Sequence, residues 1–111
     1  MTQRPWRLTK LAVHSLVGIS RWTIETFGPR QAEAYEADLL DACRSIASGE
    51  AVSVSCRTLV EDLVDEDLRF VRSGQHFIVF IDYETDVVIV DFLHSRSNLD
   101  QHLADLAGRS E

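Results

Sequence analysis

Between residues 8 and 49 the apolar positions recur at steps of three and four, the spacing of amphipathic helices. The first stripe consists of Leu8, Ala12, Leu16, Ile19 and Trp22. The second stripe consists of Ala32, Tyr35, Leu39, Ala42, Cys43 and Ile46. Gly28 and Pro29 separate them, since glycine ends helices and proline is tolerated in a first turn. Such a short connection predicts two helices packed side by side as an antiparallel hairpin.

Three later apolar runs have the character of strands: LRFVRS, HFIVFID and DVVIVDFLH. Residues 73–75 and 83–86 join them, and links this short predict an antiparallel meander. The second and third runs are apolar on both faces, so both sides of the sheet must be covered. The helical hairpin can cover one side. A short helix that starts at Ser97 can cover the other side.

The remaining segments complete the predicted fold. Pro5 favours extended backbone, which predicts an edge strand around Trp6–Leu8. Within residues 50–67 the stretch AVSVSCRT is compatible with either a short strand or an extended loop. The sequence therefore predicts an α+β fold with an N-terminal αα-hairpin packed on a small antiparallel sheet. The sheet comprises a three-strand meander plus the N-terminal edge strand, and a short C-terminal helix follows. We expect a single domain over residues 1–111.

The charge of the chain argues against nucleic acid as a partner. The net charge is −7, and the run EDLVDED alone contributes five acidic residues. Nucleic-acid binding draws on a basic surface, so no direct contact with DNA or RNA is expected. No apolar run reaches the ~20 residues that span a bilayer, so no membrane contact is expected. Two cysteines make no disulfide framework, which fits reduced thiols in a cytoplasm.

Polar residues cluster where the last strand gives way to the predicted C-terminal helix. A candidate basic cluster of the chain comprises Arg57, Arg69, Arg72, His76, His94 and Arg96. Arg69, His76 and Arg96 could lie near one end of the sheet. There they could steady a phosphate during metal-free RNA cleavage, with histidine or tyrosine moving protons, or bind acidic side chains of a protein. For His94 we favour a structural role, packing the strand–helix corner with one ring nitrogen bonded to backbone.

Other catalytic chemistry finds little support in the sequence. No pair of histidine or cysteine residues has the spacing of metal ligands, and no glycine-rich phosphate loop or nucleophile elbow is present. We therefore predict no metal, no cofactor and no catalytic residue.

Four stretches in order resemble the ParE-type toxins of the RelE/ParE superfamily. Ala12, Leu16, Ile19 and Trp22 resemble the pattern of their first helix, and FGPRQAEAYEADL resembles the start of their second. LRFVRSGQHFIVF is similar to their L-R-x-x-x-x-G-x-H-x-I-x-F segment, and FLHSRSNLDQHL to their closing motif. The resemblance covers nearly the whole chain. One departure is Ser15, where the family often has an acid before the first-helix leucine.

The resemblance implies the toxin of a type II toxin–antitoxin system. ParE toxins inhibit DNA gyrase by binding it, and a ParD-type antitoxin neutralises them. Within the basic cluster, Arg69, Arg72, His76, His94 and Arg96 are our candidates for binding such a target. A RelE-like, ribosome-dependent mRNA endonuclease is the alternative, although a chain with a single lysine suits RNA contacts poorly.

The hairpin also offers residues for binding the antitoxin. Val13, Val17, Ile24 and Leu40 are apolar and lie off the two core stripes. A groove between two helices can accept an amphipathic helix. We therefore expect these four residues to contact the antitoxin.

Overall fold

The structure is a computed structural model that describes residues 4–55 and 68–96. The elements are β1 (Trp6–Leu8), α1 (Lys10–Phe27), α2 (Pro29–Ser48), β2 (Val54–Ser55), β3 (Leu68–Ser73), β4 (His76–Asp82) and β5 (Val87–His94). The predicted C-terminal helix, the run EDLVDED and Arg57 lie outside the described residues.

The strands form one five-stranded sheet in the order β1-β5-β4-β3-β2. β3, β4 and β5 pair antiparallel, which confirms the predicted meander. β1 pairs with β5 in parallel, and β2 pairs antiparallel with β3 at the opposite edge. The predicted edge strand is thus confirmed, and its parallel pairing makes the sheet mixed where a wholly antiparallel sheet was predicted. The ambiguous stretch after residue 50 forms a short strand, so the sheet has one strand more than the four predicted.

Local signals fix the ends of the two helices. The Thr9 side chain accepts a hydrogen bond from the Ala12 N–H at 3.1 Å, capping α1, and donates one to the Val90 carbonyl at 2.7 Å. Gly28 ends α1 with a φ of 96°, a conformation that glycine adopts without steric cost. Pro29 then occupies the first position of α2, where its missing N–H is not needed.

Arg4 satisfies the carboxyl end of α2, whose last turn has no basic residue of its own. Its guanidinium donates to the carbonyls of Ile46 at 3.3 Å and Ala47 at 3.1 Å. It also donates to the Tyr83 carbonyl at 2.8 Å and pairs with Asp82. A cation is favourable at a helix C-terminus because the last carbonyls carry partial negative charge. Arg4 therefore joins α2 to the β4–β5 turn.

The hairpin packs on one face of the sheet and forms the main core. Its buried residues are Ala12, Leu16, Leu39, Cys43, Ile46, Ala47, Ile78, Phe80, Val87, Ile89 and Phe92. The predicted stripe of α1 was wrong at Trp22, which is 58% exposed, whereas Thr23 is buried. Thr23 lies seven residues, about two turns, after Leu16 and therefore points to the same side of α1. Trp22 is reached from Leu16 by two steps of three residues, which fall short of two full turns and leave its side chain away from the core.

The other face of the sheet is buried as well. Leu68, Val79, Ile81 and Leu93 form a second cluster, against which Leu11, Phe70 and Val90 pack. Ile78 and Val79 are adjacent on β4, point to opposite faces and are both fully buried. The prediction that β4 and β5 need cover on both sides is therefore confirmed.

A bulge in β5 lets a buried carboxylate reach α1. Val79 pairs with Asp91 and Phe80 pairs with Ile89, which leaves Val90 without a partner on β4. The Asp91 carboxylate accepts hydrogen bonds from the Ser15 hydroxyl at 2.5 Å and from the Phe92 N–H at 2.8 Å. A buried charge is tolerated only when it is hydrogen-bonded in this way. An acid in place of Ser15 would set a second carboxylate against Asp91.

Replacing Ser15 with alanine should therefore destabilise the fold. We expect Ser15→Ala to lower the free energy of unfolding by about 1–3 kcal/mol, because the buried carboxylate loses a donor. Ser20→Ala is the matched control on the same helix, since the Ser20 hydroxyl makes only a 3.5 Å contact with Glu36. Urea unfolding measures both. Equal effects of the two substitutions would contradict the role given to Ser15.

Candidate functional site

A groove runs along the outer side of the hairpin. The Ser20 hydroxyl of α1 contacts the Glu36 carboxylate of α2 at 3.5 Å, so these two residues face each other across the helix pair. On α1 the residues seven before, three before and four after Ser20 lie on its side of the helix. They are Val13, Val17 and Ile24, which are 47%, 51% and 47% exposed.

α2 supplies the opposite side of the groove. Leu40 lies one turn after Glu36 and therefore on the same side of α2. Its side chain is partly buried and packs against the main core, so it lies deeper than the three α1 residues. We call the surface formed by Val13, Val17, Ile24 and Leu40 the hairpin groove. The structure thus brings the four predicted antitoxin-binding residues together on one surface.

A second apolar surface lies at the end of α1. Trp22 contacts Phe27 edge to face, with ring centroids 5.8 Å apart. Both rings are more than half exposed. Sequence reasoning missed this pair because Trp22 was assigned to the core. The signal that could have found it is Thr23, whose seven-residue step from Leu16 takes the inward position.

Two of the predicted target-binding residues meet at one end of the sheet. His76 and His94 are partners across β4 and β5, and their ring centroids are 5.1 Å apart. The Tyr35 hydroxyl lies 2.6 Å from His76 Nδ1 and accepts the Gln75 N–H at 3.0 Å. The hydroxyl also lies 3.4 Å from the Ser73 carbonyl, to which it can donate. The hydrogen bond between Tyr35 and His76 ties α2 to the start of β4, and its direction follows the tautomer of the imidazole.

The environment of these side chains favours their neutral forms. Burial, together with a smaller effect of the neighbouring His94, lowers the pKa of His76 to about 4. Burial also raises the pKa of the Tyr35 hydroxyl. A general acid or base works best with a pKa near the working pH. Near pH 7 this pair is therefore poorly suited to moving protons.

The Arg96 N–H donates to His94 Nδ1 at 3.0 Å. This bond matches the corner role expected for His94, a ring nitrogen bonded to backbone where the strand ends. Arg96 therefore lies beside the histidines, as expected.

The structure separates the other two arginines from the histidines. Arg69 lies four residues along β3 from Ser73, the partner of His76, which is about 13 Å of strand. Its guanidinium donates to the Ser53 hydroxyl at 2.7 Å. Arg72 is next to Ser73 and so points to the opposite face, where it lies over the Phe77 ring. The expected approach of Arg69 to His76 and Arg96 was wrong, because strand register governs where each side chain points.

The turn before β4 is shaped by the Tyr35 ring. Gly74 has a φ of 60°, and a Cβ built on it would lie 2.7 Å from Tyr35 Cε1. Both the backbone and the space therefore require glycine here. This contact fixes the turn against α2 and keeps the Tyr35 hydroxyl on His76.

Metal chemistry finds no site in residues 4–55 and 68–96, where no group of three or more histidine, cysteine or acidic residues could hold an ion. Cys43 is buried, and burial raises the pKa of its thiol to about 12, so it remains protonated. Neither described helix is long and apolar enough to cross a membrane.

The described helices and strands define a small α+β protein whose hairpin carries exposed apolar residues. The family model of the ParE toxin of the type II toxin–antitoxin system parDE matches residues 6–99, and the chain belongs to this family. The resemblance noted in the sequence is thus confirmed.

A solved structure supports the same fold. It is titled "Chromosomal ParDE TA system from P. aeruginosa", and one of its chains superposes on this protein with a TM-score of 0.64. The match covers 83% of this chain and 96% of that chain at 12% sequence identity. Among curated proteins no sequence matches.

The titration of His76 tests the geometry of the corner. We expect NMR of the imidazole to give a pKa of about 4, well below the usual 6.5. Between pH 6.5 and pH 4 the His76 imidazole is protonated in the unfolded chain but stays neutral in the folded chain. Stability should therefore fall as the pH drops from 6.5 to 4, by at most about 3 kcal/mol. His76→Phe should lack this part of the pH dependence, and a His76 pKa near 6.5 would contradict the buried, neutral ring.

The turn offers a second test through a pair of glycines. Gly74→Ala should lower the free energy of unfolding by about 1–3 kcal/mol, because alanine is strained at this φ and meets Tyr35. Gly18→Ala is the control: its Cβ would meet nothing within 4 Å, and alanine in a helix interior is worth up to about 1 kcal/mol over glycine. Thermal unfolding should thus shift in opposite directions for the two variants. A neutral Gly74→Ala would contradict the close contact with Tyr35.

Proposed function

We propose that this protein is a cytoplasmic toxin that inhibits DNA gyrase by binding it, and that a ParD-type antitoxin neutralises it through the hairpin groove. The observation that carries the proposal is the row of half-exposed apolar residues on α1, in a chain of the ParE toxin family. A contiguous patch of apolar residues that a folded protein leaves exposed to water marks a surface that binds a partner.

The groove has the chemistry of a helix-binding surface. Val13, Val17 and Ile24 form a line along α1, and Leu40 adds an apolar floor on α2. Covering the exposed half of each α1 side chain would contribute about 1 kcal/mol per residue. An antitoxin helix with an apolar stripe would satisfy this surface, as amphipathic helices do in other grooves.

Binding accounts for the polar corner better than catalysis does. Arg72, His94 and Arg96 are exposed and could touch a target, whereas Arg69 is held by Ser53 and His76 is buried. We therefore propose Arg72, His94 and Arg96 as target contacts. Arg69 and His76 would support the surface from behind.

The alternative is a RelE-like endonuclease that cuts mRNA on the ribosome. The Tyr35–His76 hydrogen bond is the observation in its favour, since tyrosine and histidine can move protons. Two observations weigh against it: the lowered pKa of His76 and the separation of Arg69 and Arg72 from the histidines.

Purified gyrase distinguishes the two functions. We expect the protein to inhibit DNA supercoiling in a dose-dependent way, and the antitoxin encoded beside it to relieve the inhibition. Cleavage of mRNA on translating ribosomes is assayed in parallel. Intact supercoiling together with cut mRNA would replace the proposal with the endonuclease reading.

A charged residue introduced into the groove should prevent neutralisation by the antitoxin without preventing inhibition of gyrase. We expect Val17→Asp to weaken antitoxin binding by roughly a hundredfold, because an unpaired carboxylate would be buried at the interface. Val52→Asp is the matched control, since Val52 is 91% exposed and follows the C-terminal end of α2, beyond the four groove residues. Calorimetry measures the affinity of each variant for the antitoxin. Both variants should still inhibit gyrase. Unchanged binding by Val17→Asp would remove the groove as the docking site.

A further inference from the structure

The two sides of the hairpin groove carry opposite charges. On α1, Lys10 lies three residues before Val13 and Arg21 lies four residues after Val17, so both border the apolar line. Neither forms an ion pair within the part of the chain that the structure describes. The α1 side of the groove is therefore cationic.

Between Arg30, in the first turn of α2, and Leu40, the α2 side is anionic. Glu36 faces Ser20 across the groove, and Glu33 lies three residues before it on the same side. Arg44 lies one turn beyond Leu40, but its guanidinium is paired with Asp41, which cancels its charge. Glu33 has no ion-pair partner among the described residues.

We propose that these two borders set the direction in which an amphipathic antitoxin helix lies in the groove. This inference rests on the proposed function, because it assumes that an antitoxin helix is the occupant. A helix bordered by acidic residues on one side of its apolar stripe and basic residues on the other matches both walls in one direction only. Turned end for end, it presents like charges to both walls.

The argument is one of complementarity. Charge arrangement at an interface fixes orientation and excludes wrong arrangements more than it adds affinity. The four charges of the two borders, each worth a small amount alone, become attractive in one direction of the helix and repulsive in the other. We expect a preference of roughly tenfold or more for one direction, weakening as salt screens the charges.

Two designed helical peptides of equal composition test the proposal on the full-length protein. Each has about 18 residues, enough to span the groove, and an apolar leucine stripe. In the first peptide, glutamates lie along one side of the leucine stripe and lysines lie along the other side. In the second peptide, the glutamates and lysines exchange sides. Both carry a photo-crosslinking group at the N-terminus.

The toxin itself reports the direction. Val13 and Ile24 are eleven residues apart along α1, about 16 Å. Trypsin cleaves after Lys10, Arg21 and Arg30, so residues 11–21 and 22–30 fall in separate fragments that mass spectrometry distinguishes. We expect the first peptide to crosslink to one fragment and the second peptide to the other.

A charge exchange in the toxin provides the control. Lys10→Glu combined with Glu33→Arg keeps the net charge and leaves the Lys10–Arg21 border and the Glu33–Glu36 border each with no net charge. Arg21 is retained, so trypsin still separates Val13, now in residues 8–21, from Ile24 in residues 22–30. With this variant each peptide should crosslink to both fragments. Crosslinking of both peptides to the same fragment of the unaltered protein would overturn the directional role of the charges.

The outcomes also separate this inference from the function on which it rests. If neither peptide crosslinks to the hairpin, the groove is not a helix-binding site and the inference falls. Gyrase inhibition is measured independently and can still hold in that case. If the antitoxin binds and Val17→Asp abolishes binding, but direction ignores charge, only the directional inference fails.

Discussion

Strands β4 and β5 exclude water from both of their faces, with Ile78 and Val79 fully buried on opposite sides. The helical hairpin therefore packs against one face of the sheet, where the inward-facing residues of α1 and α2 are buried in a shared core. A helix that packs on a sheet and on a neighbouring helix still has a third side. On α1 that side carries Val13, Val17 and Ile24, which the hairpin and sheet leave half exposed. The surface proposed for the antitoxin thus follows from how the core is built.

The same burial governs the chemistry of the polar corner. His76 lies at the end of β4, which is buried on both faces, so its imidazole is removed from water and shares a hydrogen bond with the Tyr35 hydroxyl. A buried ring that favours its neutral form supports a structural role at this corner over proton transfer. Asp91 shows the contrasting solution, in which a buried carboxylate is accommodated by a bulge and a hydroxyl from α1. Both features stabilise the scaffold that presents the exposed residues.

Much of the fold could be predicted from periodicity, because the hairpin and the meander have strong patterns and clear turn residues. Trp22 was wrongly assigned to the core because apolar spacings of three and four residues do not determine which of two neighbouring positions faces inward. The separation of Arg69 and Arg72 from His76 depends on strand register. The contact of Tyr35 with His76 joins elements about forty residues apart, which no local pattern reveals. The four groove residues could be selected from the sequence because they were apolar yet off the core stripes, and their contact with the antitoxin stays a prediction.

The most direct test of this account is methyl NMR of the labelled toxin during titration with the antitoxin encoded beside it. The account predicts that the methyl signals of Val13, Val17 and Ile24 shift or broaden together. The signals of Val52 and Val54, which are exposed at the far edge of the sheet, should stay in place. Shifts confined to the sheet edge, with the α1 methyls unchanged, would contradict it.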